Sequence, residues 1–280
     1  MHTLTKAGLF LLACTMSASA AAEPHSYNFS PVNQYNLKVS AGFWNPIIRY
    51  VSSRSGVHLN LKLGRTSADT TSYVLAREVD FAFSNHLFSP EREKLGWTVF
   101  ARRDVAPLRA QIVVPADSPV TGLADLAGAT VAFPGPEALV GYKAAYAELL
   151  RKNIPVNVVF AGNHDATFTQ LFAGKARAAG ANSQLVDNYA RRAGKSFRVL
   201  WSSAPFNDLA LMASPRVPAA DVRAVAQAFL GMRQDPEGRR ILDAAAGLVR
   251  SPEPLGFVAA GEADYASYRA FYAGAPASLR

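Results

Sequence analysis

The stretch Ile112–Gly141, IVVPADSPVTGLADLAGATVAFPGPEALVG, decides the fold. Its apolar start continues a strand over 109–115, and Asp117-Ser118-Pro119 stops it with turn chemistry. Leu123–Leu126 reads as a short helix ended by Gly128, and Thr130–Phe133 as a second strand. Beyond the Gly135-Pro136 turn, 137–151 has the composition of a helix. A loop that passes from a strand into a helix offers unpaired backbone N–H groups and the positive end of the helix dipole, so it is suited to an anion. Here that loop carries apolar Ala138-Leu139-Val140, with no side-chain donor.

Upstream, Tyr27–Val32 reads as a strand, and 43–53 as a helix with Trp44, Ile47, Ile48 and Val51 on one side. Val57, Leu59, Leu61 and Leu63 alternate with His58, Asn60 and Lys62, the period of a half-buried strand. A helix over 68–77 and a buried strand Val79–Phe83 follow, ending in Ser84-Asn85-His86. Downstream, 156–160 and 178–181 read as strands with a helix over 167–173 between them, and 197–202 and 209–213 carry the chain back. The helices 217–233 and 236–246 present an apolar stripe suited to packing outside the first unit. Alternating strands and crossover helices predict an α/β fold with two parallel-core sheets flanked by helices and a ligand cleft between two lobes. The expected lobes are 23–112 with 206–280, and 113–205, hinged near 109–114 and 204–211.

The first 22 residues have the layout of a secretory signal: Lys6, an apolar run, then Ser17-Ala18-Ser19-Ala20-Ala21-Ala22, with cleavage after Ala20 or Ala22. Leu11-Leu12-Ala13-Cys14 offers a second reading, a lipoprotein box that would make Cys14 a lipidated first residue. No other cysteine follows, so an exported product has no internal disulfide. Half the residues are apolar and 18% are charged, a globular composition. The net charge of +8 favours anionic ligands, but Arg102-Arg103, Arg191-Arg192 and Arg239-Arg240 are isolated pairs that read as solvated surface. Nucleic acid would require a basic stripe with aromatics, so it is excluded as a partner. His25, His58, His86 and His164 lack metal-ligand spacing, and no metal or cofactor is expected. No G-x-S-x-G, H-E-x-x-H, Walker or dinucleotide loop occurs, and no catalytic residue is assigned. Ser183 or Ser203 beside a distant histidine keeps an enzyme as the third alternative.

With these residues in place, the chain resembles the phosphate, phosphite and phosphonate-binding branch of periplasmic solute-binding proteins that serve ABC importers. The likeness runs from about Asn28 to Gly247 and rests on several stretches. These are Val79-Asp80-Phe81-Ala82, Asp117-Ser118-Pro119-Val120 with Leu123–Gly128, Val131-Ala132-Phe133, Ala161-Gly162-Asn163-His164-Asp165-Ala166 and Leu171–Lys175. The resemblance implies a type II periplasmic binding fold and a monomeric receptor. Such a receptor would hold a small anionic solute and present it to a permease in the inner membrane. A receptor of the same fold that signals to a membrane partner is the alternative, as is one for a solute without phosphorus.

The resemblance also implies the site. The family follows the strand ending in Phe133 with a Pro-x-Ser-Thr-Ser-Gly loop that grips the phosphonate oxygens. Pro136 and Gly141 match its ends, while Ala138, Leu139 and Val140 replace its three hydroxyls. The amides of Leu139, Val140 and Gly141 remain, with Tyr142 beside them and His164 where the family presents a histidine. Asn182 falls at a polar strand end, and Gln184 stands where a carboxylate receives a ligand amine. Asp208 is a substitute carboxylate for that amine, and Asn33, Tyr35, Asn85 and His86 are the groups the first lobe delivers. Asp165 reads as a helix cap, and Trp44 as core or cleft wall. Replacing Ala138, Leu139 and Val140 together by Ser, Thr and Ser is expected to raise phosphonate affinity in calorimetry, and an unchanged affinity would remove this loop from the ligand.

Overall fold

The structure is a computed structural model that describes residues 25–280. The expected signal 1–22 and Cys14 lie outside the described residues. Among the described residues eleven strands form two sheets. The first contains β1 (Ser26–Pro31), β2 (His58–Leu61), β3 (Phe81–Ser84), β4 (Thr98–Arg103), β10 (Ala210–Ala213) and β11 (Phe257–Ala259) in the order β11-β4-β10-β3-β1-β2. The second contains β5 (Leu108–Pro115), β6 (Thr130–Phe133), β7 (Asn157–Phe160), β8 (Ala178–Asn182) and β9 (Phe197–Phe206) in the order β7-β6-β8-β5-β9. Each sheet has a parallel core, β2-β1-β3 in one and β7-β6-β8 in the other, extended by antiparallel strands. The helices are α1 (Leu37–Ser55), α2 (Asp69–Leu75), α3 (Pro90–Glu93), α4 (Ala144–Arg151), α5 (His164–Phe172), α6 (Ser183–Ala193), α7 (Ala219–Gly231), α8 (Pro236–Val249) and α9 (Ala266–Gly274).

Helix α1 begins earlier than periodicity alone places it, because the Asn36 side chain caps it by accepting from the Val39 amide at 3.1 Å. It ends at Gly56, whose φ of 69° is a left-handed conformation that favours glycine. Its buried face brings Trp44 to 5.2 Å from Phe29 and 5.1 Å from Phe83, ring to ring, so Trp44 is core. Helices α7 and α8 pack against α1 and close the first core. In the second lobe Phe133 of β6 meets Tyr142, and Phe168 of α5 meets Tyr189 and Phe197. Among the described residues no helix is long and apolar enough to cross a membrane.

The chain passes from the first sheet to the second through 104–107 and returns through 207–209. The segment 109–114, expected as a hinge, is the body of β5, held between β8 and β9. Strand β4 and helix α6 were not expected from the sequence. The expected helix 137–151 is divided: Leu139–Lys143 is a π-type turn and α4 starts only at Ala144. That turn sits directly above β8. A Cβ on Gly180 would lie 2.2 Å from the Phe133 ring and 2.8 Å from the Gly141 carbonyl oxygen, so only glycine admits this approach. Gly180→Ala is expected to destabilise the protein by about 1–3 kcal/mol through overpacking, measured by urea unfolding.

Candidate functional site

The parallel strands of both sheets point their C-terminal ends at the junction of the lobes, the position at which open α/β sheets form binding crevices. Strand β6 delivers Pro134–Glu137 and then the π-type turn. The amides of Tyr142 and Lys143 both donate to the Ala138 carbonyl, at 2.8 and 3.0 Å. The second bond spans five residues and widens the turn. Among the described residues, the three amides before them, of Leu139, Val140 and Gly141, have no protein acceptor.

These residues face a buried cavity of about 20 Å³. The second lobe lines it with Ala138–Gly141, His164 and Asn182, and the first with Val32, Gln34, Ser67, Asn85, His86 and Leu209. No carboxylate is among them. A larger hollow of about 750 Å³ lies beside Asp117, Thr130 and Arg177. It is open and sits where β6 and β8 begin, at the other end of the sheet from the cleft.

His164 opens α5. The cap of that helix is Asn163, whose oxygen accepts from the Ala166 amide at 2.9 Å, so the cap expected at Asp165 lies two residues earlier. The Asn182 amide donates to His164 Nε2 at 3.4 Å. The neutral ring then carries its proton on Nδ1, which is buried and has no partner among the described residues. Gly141 lets the ring approach, since a Cβ there would lie 2.8 Å from Nε2. Burial pushes the His164 imidazole down to about 4, against a partial opposing pull from Asp165. His86, at the end of β3, is bonded through Nδ1 to Thr71 Oγ1 at 2.9 Å, and burial pushes it down to about 3.

The two lobes meet tightly around the cavity. The Ser67 amide donates to Gly162 O at 2.7 Å, and the His164 amide to Gln34 O at 3.3 Å. Asn36 donates twice to Asp165, from its amide at 3.1 Å and its side chain at 3.0 Å, while Arg192 pairs with the same carboxylate at 2.5 Å. Arg192 also lies over the Tyr35 ring, and Asn188 donates to the Tyr35 hydroxyl at 3.3 Å. Arg92 and Glu137 bridge the far side at 2.5 Å. Arg103, 2% exposed, holds the fully buried Asp208 through two bonds of 2.6 and 2.9 Å, and reaches across to Gln184 Oε1 at 3.1 Å.

Of the residues singled out in the sequence, Asn85, His86, Leu139, Val140, Gly141, His164 and Asn182 line the cavity. Asn182 also caps α6 by accepting from the Gln184 amide. Asn33 is bonded to the Gly64 and Arg65 carbonyls and to Ser40, and thereby holds the loop after β2. Tyr35 and Gln184 belong to the contacts between lobes, and Tyr142 stacks on Tyr146 beside Phe133 and Phe160. Asp208 is taken by Arg103. Gln34, Ser67 and Arg103 were missed. Ser67 stands in a loop after a strand, a position that could have marked it, whereas Arg103 was read with Arg102 as solvated surface. Among the described residues no cluster of histidine, cysteine and carboxylates could hold a metal ion.

Two α/β lobes with parallel cores, joined twice and closed on their strand ends, define a type II periplasmic binding fold. The chain matches the family profile "ABC transporter, phosphonate, periplasmic substrate-binding protein" over residues 29–265 and belongs to that family, whose role is binding and not catalysis. It is similar in structure to the binding component of an ABC phosphonate transporter from Pseudomonas aeruginosa, with a TM-score of 0.75 at 14% identity, covering 88% of this chain and 85% of the other. PhnD1 from Prochlorococcus marinus, solved with methylphosphonate, gives a TM-score of 0.73 at 15% identity, covering 88% and 97%. A Xanthomonas citri protein solved with ATP gives 0.67 at 16% identity, covering 89% and 96%. Curated protein sequences contain no match to the chain.

The buried histidines make stability depend on pH. The folded-state values of His164 and His86 lie below the ordinary 6.5, so below pH 6.5 the unfolded chain takes up protons that the folded chain refuses. Stability present above pH 6.5 is therefore lost as the pH falls toward 4 for His164 and toward 3 for His86. The expected slope is at most about 1.4 kcal/mol per pH unit for each ring. Urea unfolding followed from about pH 7 to about pH 5 checks this, and His86→Asn should flatten the slope.

Proposed function

We propose that this chain is the extracytoplasmic receptor of an ABC importer and that it closes on a small oxyanion of the phosphonate, phosphite or phosphate type. One observation carries the reading: among the described residues, three consecutive amides, Leu139 to Gly141, and the Nδ1–H of His164 have no protein acceptor, and all four residues line one cavity. Buried donors are normally satisfied, so a set left open together fits a ligand that brings acceptors only. Asn85 and Asn182 add amide groups at the same place, while the Ser67 hydroxyl there donates to the Pro134 carbonyl at 3.3 Å. The backbone takes over the task of the missing hydroxyls at 138–140. The methylphosphonate complex of the Prochlorococcus marinus relative supports the same ligand class.

A cavity of 20 Å³ has room for about one water-sized group. A ligand with three or four oxygens is larger than this space, so it requires the lobes to stand farther apart than they do here, both when it enters and when it is held. The charge of +8 draws anions toward the protein. The solute then passes to a permease in the inner membrane, with the receptor acting as a monomer.

Calorimetry and thermal shift with phosphite, phosphate, methylphosphonate, a sulfonate and acetate test the reading. A phosphorus oxyanion is expected to bind, and His164→Ala to weaken it about 10- to 100-fold, the worth of one charge-assisted hydrogen bond. Silence toward every oxyanion would overturn the ligand class, and an unchanged affinity in His164→Ala would take that ring out of the site.

A further inference from the structure

The cavity lining holds no carboxylate, and the three carboxylates that adjoin it in the chain, Glu137, Asp165 and Asp208, are each paired with an arginine. Asp208 immediately precedes Leu209, which lines the cavity, yet both its oxygens are held by the Arg103 guanidinium, at 2.6 and 2.9 Å. Both partners are buried, with side-chain exposures of 3% and 0%. The Nη2 group that binds Asp208 has further neighbours. It donates to Gln184 Oε1 across the lobe junction at 3.1 Å and approaches Oε1 of Gln34, a cavity residue, at 3.5 Å. The Arg103 Cζ lies 4.9 Å from the centre of the Phe83 ring. Arg103 thus stands at the cleft as a built-in cation, neutralising Asp208 and turning two amide oxygens toward itself.

We infer that Arg103 makes this receptor selective for oxyanions that carry no positive group, because it fills the position that a ligand ammonium would need. The inference rests on the oxyanion reading and goes further by fixing the ligand's other end. An ammonium brought into this cleft sheds its water and finds no free carboxylate, and the Gln34 and Gln184 oxygens already face a guanidinium. An uncompensated buried charge is costly, whereas a methyl or a hydrogen at the same place is not. The bond from Arg103 to Gln184 joins the two lobes and so exists only with the lobes together. The discrimination therefore acts in the closed state, in which the ligand is committed.

The test compares ethylphosphonate with 2-aminoethylphosphonate, which share a skeleton and differ by the ammonium, by calorimetry on the full mature chain near pH 7. The wild type is expected to prefer ethylphosphonate by about 100-fold or more, the scale on which one unpaired buried polar or charged group discriminates. Arg103→Met leaves Asp208 unpaired and is expected to move the ratio at least about tenfold toward the amine. Arg103→Met/Asp208→Asn removes both charges and is expected to lose that gain. Equal or tighter binding of 2-aminoethylphosphonate by the wild type would overturn the inference while leaving the oxyanion reading intact. Absence of binding to both phosphonates, and to phosphite and phosphate, would overturn both. The wild-type ratio needs no variant, so a poorly folding Arg103→Met leaves the decisive comparison in place.

Discussion

A polar group shut between two lobes needs a partner, and in the turn after β6 three successive amides have none among the described residues. Everything around them is arranged so that they stay that way. The five-residue bond from Lys143 to Ala138 opens the turn, and Gly141 and Gly180 remove the side chains that would fill the space beside His164 and Phe133. The apolar Leu139 and Val140 belong to the buried core and fix the turn from behind. In a chain without hydroxyls at this loop, the backbone becomes the recognition surface, and its precision comes from packing.

The cost of keeping donors open is offset elsewhere in the cleft, where polar groups of the two lobes satisfy one another closely. Asp165 accepts from Asn36 and pairs with Arg192, Ser67 binds the Gly162 carbonyl, and Arg103 binds Gln184. These bonds encircle the cavity without crossing it. Closure and recognition therefore use different atoms.

How much of this was legible in the sequence follows the range of the interaction. The two-residue alternation in β2, the stop at Asp117-Ser118-Pro119 and the apolar face of α1 are local signals, and they placed the parallel cores. Strand β4 was not read because Thr98–Arg103 ends in two arginines, and a charge pair ordinarily marks solvated surface. The residue that buries Arg103 is Asp208, 105 positions away, and no pattern within β4 announces it. The site divides in the same way. His164 and the amides after Pro136 were visible from strand-to-helix transitions, whereas the π-type turn required knowing what packs beneath it. Asn33 and Tyr142 were placed near the ligand by their neighbours in sequence, but their partners in space are the loop after β2 and an aromatic stack.

The pairing of Arg103 with Asp208 has a mechanical side. Arg103 is the last residue of β4, just before the first chain crossing, and Asp208 lies within the second. Tyr265 and Tyr268 clasp that second crossing through the Asp208 and Asn207 carbonyls at 2.9 and 2.7 Å. The two strands of chain that connect the lobes are thereby riveted side by side. Two points fastened together leave an axle: sliding of one lobe along the other is blocked, and swinging about the line through the crossings is the motion that breaks the fewest bonds.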